Sequence, residues 1–488
     1  MSSLTYYPAS PRKELIAEYV GKSIRDVPTP AAIINVAAVR RNCSRMLEAC
    51  KSLKLGWRAH VKTHKTVEIT RLQVGDDAAF PVNIVISTLA EGEFLLQALK
   101  EYKSQGRQVN VLYGLPITAN AVDRLAAIAS ALGEGSVSIL LDDPAQLPVA
   151  AKLRQASGVA PHASIKIDMG GKRAGVAADS DRLLEVAGAA LSAHRNGDIV
   201  LAGLYSHAGQ SYGGDSRAAA IKMMGAEITA MMVGADRIKA QAAEQGVSSL
   251  PALILSGGAS PTALSVQNLL SQHDDDDDAQ AASSPELQAE VQSLTTLFGA
   301  VKSSGHVVEI HAGVYPTLDL QQLAAHSMSA SRLSWGDIAL TVLAEVHGTY
   351  PGRGENGTPE ALVGAGGLAL GREFCKAYDG MAMVTPWGRP GASPPAGDVE
   401  DYEGWTVGRF SQEHGILTWA AGKRRASSKT AAALGPPSDM VEVGQKVKLW
   451  PNHACITSSH FGWYFVVDED QPGKEDEIVD IWTKARGW

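Results

Sequence analysis

The chain has 488 residues, 45% hydrophobic and 20% charged, with a net charge of −8, a composition that excludes general disorder and is long enough for more than one buried core. The acidic balance excludes a global basic field for nucleic acid or anionic lipid, so the expected partner is a small molecule. The few cysteines, Cys43, Cys50, Cys375 and Cys455, lack the spacing of a secreted disulfide scaffold, and no stretch reaches the ~20 uninterrupted apolar residues of a membrane span, so a cytoplasmic protein is expected.

Residues 1–27 precede the first expected strand and are left unassigned, with the β domain as one place they could join. From 28 to about 330, short β-branched runs alternate with Ala/Leu-rich segments of helical period. The strand candidates are 31–36, a short one ending near Lys62, 83–88, 108–114, 137–142, 163–169, 199–206, 251–257 and 306–313. This repetition predicts an α/β fold, a (β/α)8 TIM-type barrel, with catalytic residues at the C-terminal strand ends. Over 331–488 the texture turns Gly-rich and β-leaning, which predicts a mainly antiparallel β domain. Two insertions interrupt the pattern. HDDDDDAQAASSPE (273–286) is expected to be solvated and disordered, and the Pro/Gly segment 387–404 to be a loop. The basic cluster in 420–439 is expected to be ordinary surface.

Four constellations carry chemistry. GWRAHVKTHKT (56–66) ends a short strand in Lys62, the rigid placement a Schiff-base amine needs, with Lys65 as the alternative. KIDMGGKRAG (166–175) brings Arg173 to a Gly-rich turn, and GLYSHAGQSYGG (203–214) gathers Tyr205, His207 and Tyr212, groups that stack on or hydrogen-bond an aromatic cofactor. LSGGASPT (255–262) and HAGVYPTLD (311–319) are small-residue turns suited to a phosphate, with Thr262 and Tyr315 as donors. In PNHACITSSHFG, His453 and Cys455, read as i and i+2 on an extended segment, point to one side and can share a metal with open positions. His460 is a conceivable extra ligand, with packing the plainer reading. Cys43 and Cys50 share a helix face and read as buried small hydrophobes.

These constellations, in this order, resemble the D-serine dehydratase and D-threonine aldolase group, an alanine-racemase-like barrel followed by a β domain. The resemblance spans nearly the whole chain, and RAHVKTHKT and PNHAC carry it most specifically. It implies pyridoxal phosphate bound at Lys62, with Tyr205, Tyr212, Thr262, Gly313 and Val314 around the cofactor, and His207 and Arg173 nearby. It also implies zinc at His453 and Cys455, a D-3-hydroxy amino acid substrate, and a homodimer. The aldolase branch tends to carry a carboxylate where Cys455 stands, so the thiol favours dehydration. Retro-aldol cleavage, D-threo-3-hydroxyaspartate dehydration and a non-catalytic cofactor carrier remain the alternatives. The chain departs from the family at Val314, where Asn is usual, so a side-chain contact would be lost while the backbone N–H remains.

Overall fold

A computed structural model describes residues 7–248, 250–270, 284–393, 395–427 and 440–488. The Asp run of 273–286 lies almost wholly outside the described residues. Eight parallel strands close into a barrel: β2 (Gly56–His60), β3 (Val82–Ile86), β4 (Val109–Pro116), β5 (Val137–Leu141), β6 (His162–Lys166), β7 (Val200–Tyr205), β8 (Ile254–Gly257) and β9 (Val307–Ala312), with β9 pairing back onto β2.

One expected barrel strand lies elsewhere. The segment Ala31–Asn35 (β1) does not enter the barrel; it pairs antiparallel with β10 (Leu340–Tyr350) and parallel with β16 (Trp463–Val467). All five of its residues are buried. A short apolar run covered on both faces reads like a parallel barrel strand, and its pattern carries no information about which sheet covers it.

The remaining strands are β11 (Glu360–Val363), β12 (Ala382–Val384), β13 (Glu403–Phe410), β14 (Gly415–Ala421), β15 (Lys446–Pro451) and β17 (Asp480–Thr483), all in one nine-stranded sheet. Because β10 pairs with both β11 and β15, the six strands β10–β15 close on themselves around Val342, Val346, Trp405, Val407, Leu417 and Val447. Residues before β1 pack on the open side of the sheet: Leu15, Ile24 and Val27 share a core with Phe465, Ile478 and Ile481, and Arg12 pairs with Asp480 at 2.9 Å.

The barrel interior carries a charge network. Arg58 donates to Glu309 at 2.7 Å and to Asn110 at 2.7 Å, and Ser256 donates to the same Glu309 oxygen at 2.8 Å. Ser138 donates to Asn110 at 2.9 Å. Such a buried network is tolerated because its members are paired.

The long helix Arg217–Glu244 is apolar and long enough to cross a membrane by composition alone, but it packs on the barrel and carries the buried Glu227 inward. The basic cluster of 423–425 is ion-paired within the chain, Arg424 with Asp398 and Asp401 and Arg425 with Glu403.

Candidate active site

The turn after β2 separates two lysines that look equivalent in the sequence. Lys65, at φ +56, closes a tight turn in which its N–H donates to Val61 O at 2.9 Å. Its ammonium lies 3.1 Å from Glu91, a fully buried carboxylate under the barrel rim. Lys62 instead lines a cavity of about 610 Å³ with Arg173, His207, Tyr212, His453 and Cys455. Glu91 is pushed above the ordinary carboxylate range by burial, a rise that Lys65 opposes.

The strand ends opposite supply rings. Tyr205, at the end of β7, stacks on His311 at 4.2 Å and 9°. His207 Nδ1 lies 2.8 Å from Gly258 O, so it donates and its proton is fixed on that nitrogen. Gly258 sits at φ +149, and a Cβ there would meet His311 O at 2.2 Å, so the turn after β8 requires glycine. Burial holds His60, His207 and His311 well below the usual imidazole range, and the Lys62 charge adds to that for each. Burial also lowers Lys166, at the end of β6, to about 8, with Arg173 contributing. Its ammonium sits 4.8 Å from the Tyr205 ring.

Beneath the cavity, Thr262 Oγ1 accepts from Ala259 N at 2.9 Å and lies 3.2 Å from Glu227. Glu227 also accepts from Ala208 N and Ser206 Oγ, which ties the loops after β7 and β8 together; burial raises it to about 7. Gly313 packs beside His60. Val314 is buried, and its N–H donates to Ser260 Oγ at 3.2 Å. The N–H that the sequence left available at Val314 is therefore engaged by a neighbouring hydroxyl.

His453 and Cys455 face the cavity from a geometry other than the extended one expected. The strand β15 ends at Pro451, His453 is the N-cap of the helix Ala454–Ser459, and Cys455 lies in its first turn. A cap residue followed by helix still brings positions i and i+2 to the same opening. Asp319, fully buried, fixes this helix start: one oxygen accepts from Ala454 N at 2.8 Å, and the other caps its own helix at Gln322 N, 2.9 Å. Thr63 Oγ1 lies 2.9 Å from Cys455 Sγ. Burial opposes ionisation of the Cys455 thiol, but His453 outweighs it and holds the thiol below its ordinary value. The thiolate in turn carries His453 to about 9 against its own burial.

Six of the expected residues thus line one cavity, while Tyr205, Thr262, Gly313 and Val314 form the buried layer beneath it. His460 does not line it and ends its helix as C-cap. The sequence reading passed over Gln321, Glu373, Phe374, Lys376 and Ile456 in the cavity wall, and His60, Lys166, Glu227 and Asp319 behind it. His60, Lys166, Asp319 and Ile456 stand inside the motifs singled out in the sequence; Glu227 lies in the long helix Arg217–Glu244, and Gln321, Glu373, Phe374 and Lys376 lie in segments whose contacts are made across the chain.

A second cluster, His326 with Asp398 and Glu400, lies away from the cavity. His326 Nε2 is 3.1 Å from Glu400, and Arg424 pairs with Asp398, so its charges are already matched.

The chain matches the "Alanine racemase, N-terminal domain" family over residues 34–274 and the "Putative serine dehydratase domain" family over residues 339–467. It is 35% identical over 495 residues to a D-serine dehydratase of Schizosaccharomyces pombe, covering 100% of this chain and 98% of that one. The chain belongs to the D-serine dehydratase family. It is a pyridoxal-phosphate-dependent lyase of alanine-racemase-like fold. A D-threo-3-hydroxyaspartate dehydratase of Delftia sp. is 28% identical over 94% of this chain and 98% of the relative. The solved structure of that Delftia enzyme superposes with a TM-score of 0.65 at 25% identity, covering 96% of this chain and 100% of that one. A D-threonine aldolase from Filomicrobium marinum, 19% identical with a TM-score of 0.61 over 96% and 97% of the chains, shares the fold.

The cavity suits the family's cofactor. Its wall carries the Lys62 amine, the neutral His207 imidazole and the Tyr212 phenol, and elsewhere in the buried protein His311 Nε2 and Ser211 Oγ have no hydrogen-bond partner among the described residues. The His453/Cys455 pair suits a soft divalent metal, since His453 Nδ1 is buried without a hydrogen bond, beside a thiol of lowered pKa and 3.6 Å from the Glu373 carboxylate.

Proposed function

We propose that this enzyme eliminates water from D-serine, or a closely related D-3-hydroxy amino acid, giving pyruvate or the matching oxo acid and ammonia. Pyridoxal phosphate would be held at Lys62 and zinc at His453 and Cys455. The observation that carries the reading is that amine, imidazole and thiol, drawn from chain positions 62, 453 and 455, line one cavity. Its support is the S. pombe relative and a second D-serine dehydratase, from Saccharomyces cerevisiae, 29% identical over 97% of this chain and 100% of that one. A cysteine-to-alanine mutant of a D-threo-3-hydroxyaspartate dehydratase was solved in a metal-free form, which fits a metal role for the thiol.

When bound, the cofactor supplies an electron sink for negative charge at Cα, and the metal supplies the Lewis acid that lets the β-hydroxyl leave. The protein's own part is placement and proton transfer. Lys62 Nζ takes the Cα proton, and the three imidazoles around it stay neutral and do not protonate in its place. Thr63 holds Cys455 by its hydroxyl, and Asp319 holds the helix start that presents His453. Phe374 and Ile456, apolar residues of the cavity wall, are 72% and 37% exposed. That exposure fits a homodimer in which the partner covers this mouth. Four free cysteines suit a reducing, cytoplasmic compartment.

Purified protein incubated with D-serine, L-serine and D-threonine is expected to release pyruvate and ammonia from D-serine; glycine and an aldehyde from D-threonine would mean retro-aldol cleavage instead. Chelation is expected to stop pyruvate release while solvent exchange of the substrate Cα proton continues, because Lys62 carries that earlier step. Dehydration by demonstrably zinc-free protein would sink the metal role, and unfolding on chelation would make the site structural.

A further inference from the structure

The wall of the cavity beside His453 includes a loop whose backbone is tied down at Glu373 and just beyond it. Asn452 donates to Glu373 O at 2.9 Å and to Gly380 O at 2.8 Å, and Gln321 donates to Phe374 O at 2.8 Å. Tyr378 donates to the Asn452 side-chain oxygen at 2.6 Å. With its main chain so held, the Glu373 carboxylate stands 3.6 Å from His453 Nδ1. It is the one acid among the described residues that line the cavity.

We infer that Glu373 is a specificity-determining residue that excludes substrates carrying a second negative charge on the β-carbon. The inference rests on the dehydration reading above and deepens it by naming the substrate class: 3-hydroxy amino acids whose β-carbon bears hydrogen or a neutral group. If the β-hydroxyl is directed to His453 and Cys455, the other β-substituent is held on the same carbon. A carboxylate there, as in D-threo-3-hydroxyaspartate, is brought within a few ångströms of the Glu373 carboxylate in a partly desolvated cavity. Three basic side chains, Lys62, Arg173 and Lys376, share the wall, but Glu373 is the charged side chain paired with His453. Lys376 donates to Gly214 O, and Arg173 acts on Lys166 and His207 on the barrel side. For like charges in such a setting, discrimination of roughly tenfold or more is expected.

The test is the isosteric substitution Glu373→Gln in the loaded enzyme. The ratio of kcat/KM for D-threo-3-hydroxyaspartate to that for D-serine is expected to rise about tenfold, and Glu373→Asp to restore most of the discrimination. Binding of D-aspartate relative to D-alanine, which lack a hydroxyl to lose, gives a readout without dehydration. Their dissociation constants, read from the cofactor absorbance, are expected to shift by a similar factor, with metal content unchanged. Unchanged ratios would overturn the inference, as would loss of the metal in Glu373→Gln, which would make Glu373 a ligand. A wild-type enzyme inert on D-serine would count against the dehydration reading alone, since the binding ratio still tests Glu373.

Discussion

Lys62 and Lys65 stand three residues apart in one turn, yet the fold gives them opposite environments. Lys65 is spent on a buried carboxylate, Glu91, whereas Lys62 opens onto the cavity. Lys62→Ala is therefore expected to abolish turnover and remove the visible absorbance of lysine-bound cofactor. Lys65→Ala is expected to stay yellow but to unfold more easily, by about 2 kcal/mol, because it leaves Glu91 buried without its counter-charge. Absorbance spectra and thermal unfolding of the two variants check both halves; a bleached Lys65→Ala with a yellow Lys62→Ala would reverse the assignment. The sequence distinguished them by the strand end, although β2 stops at His60 and both lysines follow it. It did not show that Glu91, in the helix after β3, would claim the other lysine, since that contact depends on barrel closure.

At the scale of elements, the strands of the barrel were legible because buried parallel strands are apolar runs of nearly constant spacing. The candidate metal pair, His453 and Cys455, stands out in the sequence by residue type but not by backbone. PNHAC continues the β15 strand pattern, and nothing local marks His453 as a helix cap: its side chain makes no capping bond. The anchor is Asp319, 134 residues upstream of His453 by number, which supplies one oxygen to each of two helix starts. Asp319→Ala leaves the Gln322 N–H with only the main-chain Asp319 O at 3.2 Å and the buried Ala454 N–H without an acceptor, and is expected to cost about 1–3 kcal/mol. Because the second of those groups adjoins His453, metal affinity is expected to fall about tenfold to a hundredfold, the usual effect of losing a residue that orients a ligand. Thermal unfolding and metal content after dialysis test the two effects separately. A destabilised variant that keeps its metal affinity would show that Asp319 supports folding without positioning His453.

At the scale of the whole molecule, the chain starts in the sheet, leaves to build the barrel and returns to finish the sheet. This is where the sequence reading went astray, assigning 31–36 to the barrel because hydrophobic pattern records burial and not the identity of the neighbour. The consequence is mechanical. Strand β1 lies between β10 and β16, so it is an interior strand that joins the six-stranded closed part to β16 and β17. Its Ile33 shares a core with Leu15, Ile24, Val27, Leu343, Phe465 and Ile481, while Ile34 faces the barrel-side core. A fragment beginning at Val36 retains every barrel strand and both metal-pair residues. If 31–36 were an ordinary barrel element or a dispensable lead, such a fragment would bind the cofactor. With β1 gone, the facing edges of β10 and β16 lose their ladder partners and a two-sided apolar layer is opened, an arrangement prone to aggregation. The fragment is therefore expected to be insoluble or to lose the helix start that carries His453 and Cys455, which follows directly from β15 beside β10. Adding residues 7–35 as a separate peptide is expected to recover soluble protein with cofactor absorbance. A soluble, yellow fragment lacking β1 would show that the sheet tolerates the gap.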